Sequence, residues 1–119
     1  MASGYLTTHV LDMARGLPAE GLTVTLYRIA GDGPKQLAQM VTNADGRTDG
    51  PILPQAQFET GLYELVFEAG AYLDKVGTPP EEPRFLDIIP IRFGISDAES
   101  HYHVPLLLSP FGFSTYRGS

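Results

Sequence analysis

The stretch His101-Tyr102-His103-Val104-Pro105-Leu106-Leu107-Leu108 sorts its residues by parity. Tyr102, Val104, Leu106 and Leu108 share one unbroken apolar face, while His101, His103 and Pro105 fall on the other. Period two is the mark of a strand with one side against a core. Both imidazoles then point away from that core, two strand steps or about 7 Å apart.

The same alternation recurs upstream of this stretch. Leu22, Val24 and Leu26 oppose Thr23, Thr25 and Tyr27. Tyr63, Leu65 and Phe67 oppose Glu64 and Glu68, and Ile89, Ile91, Phe93 and Ile95 share a face. Tyr5 to Met13, Lys35 to Thr42 and Gly112 to Arg117 complete the strand candidates. Gly16-Leu17-Pro18, Gly31-Asp32-Gly33-Pro34 and Asn43-Ala44-Asp45-Gly46 read as turns. Gly70 to Val76 has room for about two helical turns, and Gly77 to Pro83 is a proline-rich loop. Seven or eight short strands with one short helix predict an all-β antiparallel sandwich, with residues 1–119 as a single domain.

Composition narrows the function classes. The chain has 119 residues, 43% hydrophobic and 18% charged, which suits one folded domain with one core. A formal net charge of −6 argues against a nucleic-acid or anionic-membrane surface. No apolar run approaches a membrane span. The first residues lack the basic start and apolar stretch of a secretory signal, so a cytoplasmic protein is expected. With no cysteine, disulfides, zinc–thiolate sites, iron–sulfur clusters and a cysteine nucleophile are excluded. There is no nucleophile elbow, phosphate loop or dinucleotide fingerprint.

The three histidines carry most of the remaining chemistry, because imidazole exchanges protons near neutrality. His101 and His103 are either a solvated pair on an outer face or part of a site. Together with His9 they would also suit a zinc ion. His9 lies in Leu6-Thr7-Thr8-His9-Val10-Leu11-Asp12, where neither face is cleanly apolar, so alternation does not orient it. Arg47 follows the turn at Asn43 to Gly46; it is either an exposed turn residue or a forked donor for a planar anion. The final Tyr116-Arg117-Gly118-Ser119 places an aromatic, a cation, a glycine and a hydroxyl where a tail usually frays.

Taken together, these segments resemble the 5-hydroxyisourate hydrolases, the transthyretin-related enzymes of purine degradation. The likeness spans nearly the whole chain. It rests on Leu6 to Asp12, Gly46-Arg47, His101 to Pro110, and Ser114 to Ser119. The last four residues are what separates these enzymes from the hormone carrier transthyretin. Phe111 and Phe113 stand where relatives often have tyrosine.

The resemblance implies an eight-stranded sandwich, a homotetramer built as a dimer of dimers, and active sites in the channel between dimers. It implies ring opening of 5-hydroxyisourate by water, with His9, Arg47, His103 and Ser119 as catalytic residues. It adds His9, Arg47, His101, Tyr116 and Arg117 as substrate contacts and requires no metal or cofactor. Arg117 would also hold the tail, which would close the pocket floor. A carrier of a flat aromatic ligand in the same channel is the alternative, and a three-histidine zinc site is another.

Overall fold

A computed structural model describes residues 3–118. Eight strands form two four-stranded sheets. They are β1 (Tyr5–Asp12), β2 (Leu17–Pro18), β3 (Thr23–Ala30), β4 (Gly33–Val41), β5 (Gly61–Glu68), β6 (Ile88–Ile95), β7 (His101–Ser109) and β8 (Gly112–Thr115). One sheet runs β2-β1-β7-β8 and the other β4-β3-β5-β6. The two inner faces meet over a single core. Leu6, Val10, Leu106 and Leu108 come from one sheet, and Val24, Leu26, Tyr63, Leu65 and Phe67 from the other. Each such side chain contributes about 1.5–3 kcal/mol through burial.

Burial follows the alternation seen in the sequence except at Thr25 and Pro105, which have the outward parity and are buried as well. In β7 the even residues face the core, while His101 and His103 are half-exposed on the outer face. The sandwich is not wholly antiparallel, however: β1 and β7 pair in parallel, Tyr5 opposite His101 and Thr7 opposite His103. The chain visits the second sheet between these two strands, so β7 can return beside β1 in the same direction. Alternation reports which face a residue takes and is blind to strand direction. The short β2, opposite Leu11 and Asp12, falls where the sequence reads as a turn.

In β1 the buried set is Leu6, Thr8, Val10 and Asp12. Two of these are polar, and that masked the pattern in the sequence. Each is satisfied where it sits. Thr8 Oγ1 donates to the Val104 carbonyl at 2.7 Å. Asp12 accepts from the Tyr72 hydroxyl at 2.8 Å and from the Arg15 backbone N–H at 3.0 Å. Tyr72 belongs to the helix α1 (Ala69–Lys75), which packs Ala69, Gly70, Tyr72 and Leu73 into the core. A seven-residue helix is not stable by itself; this buried face and the Tyr72–Asp12 bond hold it.

With the even residues of β1 inward, Tyr5, Thr7 and His9 stand on the outer face beside the histidines of β7. The segment 43–53 is laid along the other edge of β1. Val10 N–H donates to the Gly46 carbonyl at 2.8 Å, and Leu6 N–H to the Leu53 carbonyl at 2.9 Å. That segment is how Arg47 reaches His9.

Candidate active site

The outer face of β1 and β7, walled by segment 43–53, forms an open cleft of about 470 Å³. Tyr5, Thr7, Arg47, Thr48, His101 and His103 line it. His9 stands beside it, paired through the backbone with Arg47, and its ring centre is 6.5 Å from that of His103. Residues 9, 47, 101 and 103 are therefore neighbours, although they come from three separate segments.

Arg47 is set by the turn before it. Gly46 adopts φ +76°, and a Cβ there would run into the Val10 carbonyl; only glycine meets both demands. Asn43 pins the rest. Its Oδ1 accepts from the backbone N–H of Asp45 (2.9 Å) and of Arg47 (3.2 Å), while its Nδ2 donates to Asp49 at 3.0 Å. The Arg47 guanidinium makes no hydrogen bond or ion pair among the described residues, and the side chain is exposed. An unpaired fork of donors beside three imidazoles suits a planar anion.

His9 Nε2 lies 2.8 Å from the Asp45 carbonyl oxygen. A carbonyl only accepts, so Nε2 carries hydrogen and the lone pair of the neutral ring sits on Nδ1. Partial burial, and then the Arg47 cation, hold His9 below the ordinary histidine value of 6.5; the Asp45 carbonyl pulls the other way. Burial also lowers His103, followed by Arg47, His101 and His9. Both shifts favour the neutral ring at pH 7, the form in which an imidazole can take a proton from water.

The tail meets this site from the other side. Gly118 N–H donates to the His103 carbonyl at 2.7 Å. A Cβ on Gly118 would lie 2.6 Å from His103 Cδ2. Arg117 lies over the Tyr102 ring, 4.0 Å from its centre, which anchors the tail. Neither Arg117 nor Tyr116 lines the cleft, and Tyr116 is exposed. Ser119 lies outside the described residues.

His101 and His103 do not converge with His9 on a common point. His101 Nε2 and His103 Nδ1 both turn to the Thr7 hydroxyl, at 2.6 and 2.7 Å. Among the described residues no group of three or more His, Asp or Glu side chains is placed to hold a metal ion. Thr7, Asn43 and Tyr5 are the site residues that motif reading missed. The Asn-x-Asp-Gly turn was the available signal for Asn43; Thr7 and Tyr5 become visible only with the β1–β7 register.

These features coincide with a known lineage. The family model described as HIUase/Transthyretin matches residues 6–118. The chain belongs to that family. A curated relative, 5-hydroxyisourate hydrolase 2 of Rhizobium meliloti (strain 1021), is 59% identical over 117 residues, covering 98% of each chain. Among solved structures, 5-hydroxyisourate hydrolase of Klebsiella pneumoniae is 40% identical with a TM-score of 0.81, covering 98% of this chain and 99% of that one. Transthyretin from Sparus aurata is 30% identical with a TM-score of 0.84, covering 95% of each chain. Members of the HIUase/transthyretin family thus share the sandwich whether named as hydrolase or as transthyretin. No helix among the described residues is long and apolar enough to cross a membrane.

Proposed function

We propose that this chain hydrolyses 5-hydroxyisourate, opening its six-membered-ring amide to give 2-oxo-4-hydroxy-4-carboxy-5-ureidoimidazoline. This is a step of urate degradation towards S-allantoin. The observation that carries the reading is the meeting of two imidazoles held in the proton-accepting form, His9 and His103, with Arg47, whose guanidinium is unpaired among the described residues. The curated hydrolases of the same family support it.

Arg47 binds the flat, ionisable substrate and polarises the carbonyl under attack. One imidazole takes a proton from water as its oxygen bonds to the carbonyl carbon. The tetrahedral oxyanion collapses, the ring C–N bond breaks, and the proton passes to the leaving nitrogen. His101 adds a substrate contact within the cleft, and Tyr116 and Ser119 are proposed as further contacts supplied when subunits meet. Arg117 serves them by holding the tail on Tyr102. No cofactor enters the reaction.

The cleft of one subunit is open, and a second copy would close it. Two sheet edges favour assembly. Strands β6 and β8 end their sheets, and Phe85, Ile88, Phe111 and Phe113 near them are exposed. Unpaired edges carrying apolar side chains are poor solvent surfaces and good pairing surfaces. The assembly proposed is a homotetramer, a dimer of dimers acting in the cytoplasm, with the sites between dimers.

The test follows the ultraviolet decay of freshly made 5-hydroxyisourate. Wild type accelerates it, while His103→Asn and Arg47→Ala lose the about 10²- to 10⁴-fold that acid–base and electrostatic help supplies. Full activity in both variants rejects the assignment. Saturable binding without any turnover would mark a carrier instead.

A further inference from the structure

We propose that the Thr7 hydroxyl is a one-proton switch between His101 and His103, through which His101, seated on Tyr5, takes up the positive charge generated when His103 accepts a proton in the cleft. The inference rests on the reading of His103 as a base.

The geometry leaves few choices. Thr7 Oγ1 lies 2.6 Å from His101 Nε2 and 2.7 Å from His103 Nδ1. A hydroxyl has one hydrogen and so donates to at most one ring; in the two arrangements that use that hydrogen between the rings, it accepts from the other. In one arrangement His103 Nδ1–H donates to Oγ1, and Oγ1–H donates to His101 Nε2. The lone pair of His103 is then on Nε2, the nitrogen free of any partner among the described residues. In the other, both bonds are reversed and His103 Nε2 carries hydrogen. The direction of one O–H bond therefore sets whether His103 is a proton acceptor or a donor.

Proton transfer converts one arrangement into the other. Water gives a proton to His103 Nε2. The Nδ1 proton moves to Oγ1, and the hydrogen that was on Oγ1 moves to His101 Nε2. Thr7 is chemically unchanged, His103 is neutral with hydrogen on Nε2, and His101 is an imidazolium. The reverse hops deliver the proton from Nε2 to the leaving nitrogen.

The surroundings favour this displacement of charge. His103 faces His9 and Arg47 from one side and His101 from another, and these disfavour a cation on it, as does its burial. Among the described residues the tail offers it only the backbone of Gly118. The His101 ring, in contrast, stacks flat on Tyr5, with centres 4.1 Å apart and planes 11° apart. An aromatic face stabilises a cation laid on it. The parallel register produces both contacts at once, since Tyr5 lies opposite His101 and Thr7 opposite His103.

The experiment compares Thr7→Val, which keeps the shape and removes the hydroxyl, with Thr7→Ser, which keeps the hydroxyl. Thr7→Val is expected to lower kcat by about 10- to 100-fold, a part of what acid–base catalysis supplies, with KM nearly unchanged. Thr7→Ser restores most of kcat. Long-range ¹H–¹⁵N spectra should show the His103 tautomer change in Thr7→Val and persist in Thr7→Ser. His101→Gln, which cannot hold a positive charge, is expected to lower kcat with Thr7 intact; it serves if Thr7→Val does not fold. Wild-type kcat in Thr7→Val or in His101→Gln overturns the switch. His103→Asn is run alongside: if it is inactive while Thr7→Val is normal, only the switch fails. If His103→Asn is fully active, the base assignment fails and takes the switch with it.

Discussion

Gly118→Ala offers the sharpest test of how the tail serves the site. Gly118 is outside the left-handed region of backbone space, so alanine meets no backbone objection there. What it meets is His103: the new Cβ would sit 2.6 Å from Cδ2, where ordinary contact begins at 3.4 Å, a shortfall of 0.8 Å. Two responses are open. The tail can retreat, which gives up the 2.7 Å bond from Gly118 N–H to the His103 carbonyl, worth about 0.5–1.5 kcal/mol. Or the imidazole can shift by most of that shortfall, and a misplacement near 1 Å at a reacting group costs about 10²-fold in rate. Neither response reaches the core, so the variant should melt close to wild type. The assay is kcat from substrate decay beside a thermal melt. Gly31→Ala is the control, since nothing lies within 4 Å of its Cβ position and its φ is not left-handed. Gly118→Ala with wild-type kcat would refute the inference that the tail sets the position of His103.

Three further outcomes are expected. Gly46→Ala places a Cβ at φ +76° against the Val10 carbonyl, at a cost of about 1–3 kcal/mol for the backbone alone; differential scanning calorimetry should show a lowered Tm, and an unchanged Tm contradicts the packing described. The Arg47 cation is one cause of the lowered His9 and His103 values, so Arg47→Gln should move both NMR titration midpoints up, towards 6.5. In wild type, correspondingly, the rate should hold from neutral pH to below 6.5 and fall as the neutral base is lost; midpoints that stay put or drop in Arg47→Gln reverse the sign. Removal of Tyr116 to Ser119 should abolish turnover and leave the circular-dichroism spectrum of a β protein. An unfolded product would make the tail a structural element instead.

Strand faces were readable wherever hydrophobicity and burial agree. In β7, Tyr102, Val104, Leu106 and Leu108 are inward and His101 and His103 outward, as parity predicts. In β1 they disagree, because Thr8 and Asp12 are buried through hydrogen bonds to partners far away in sequence. A residue's hydrophobicity does not record whether a partner waits for it, so the direction of His9 stayed open until the strand was placed. The parallel pairing of β1 and β7 was equally hidden, since it depends on the route of the chain between them. His9, Arg47 and His103 were recognisable as site candidates by motif. Thr7 was not, because a lone threonine in a strand is unremarkable until two imidazoles are found on its oxygen.

Strand β1 does two jobs with alternate residues: Leu6, Thr8 and Val10 build the interior, and Tyr5, Thr7 and His9 face the cleft. Deleting a single residue inside it would exchange the two sets and cost the molecule its interior and its chemistry together. The proton-handling side chains on this strand are consequently locked to the architecture. Room for divergence lies in cleft-lining positions outside these strands, such as Thr48 in the Asn43 to Leu53 segment, whose Gly46 and Arg47 are themselves fixed. New substrate preferences within this lineage should arise there, while the histidine-bearing strands stay fixed in frame.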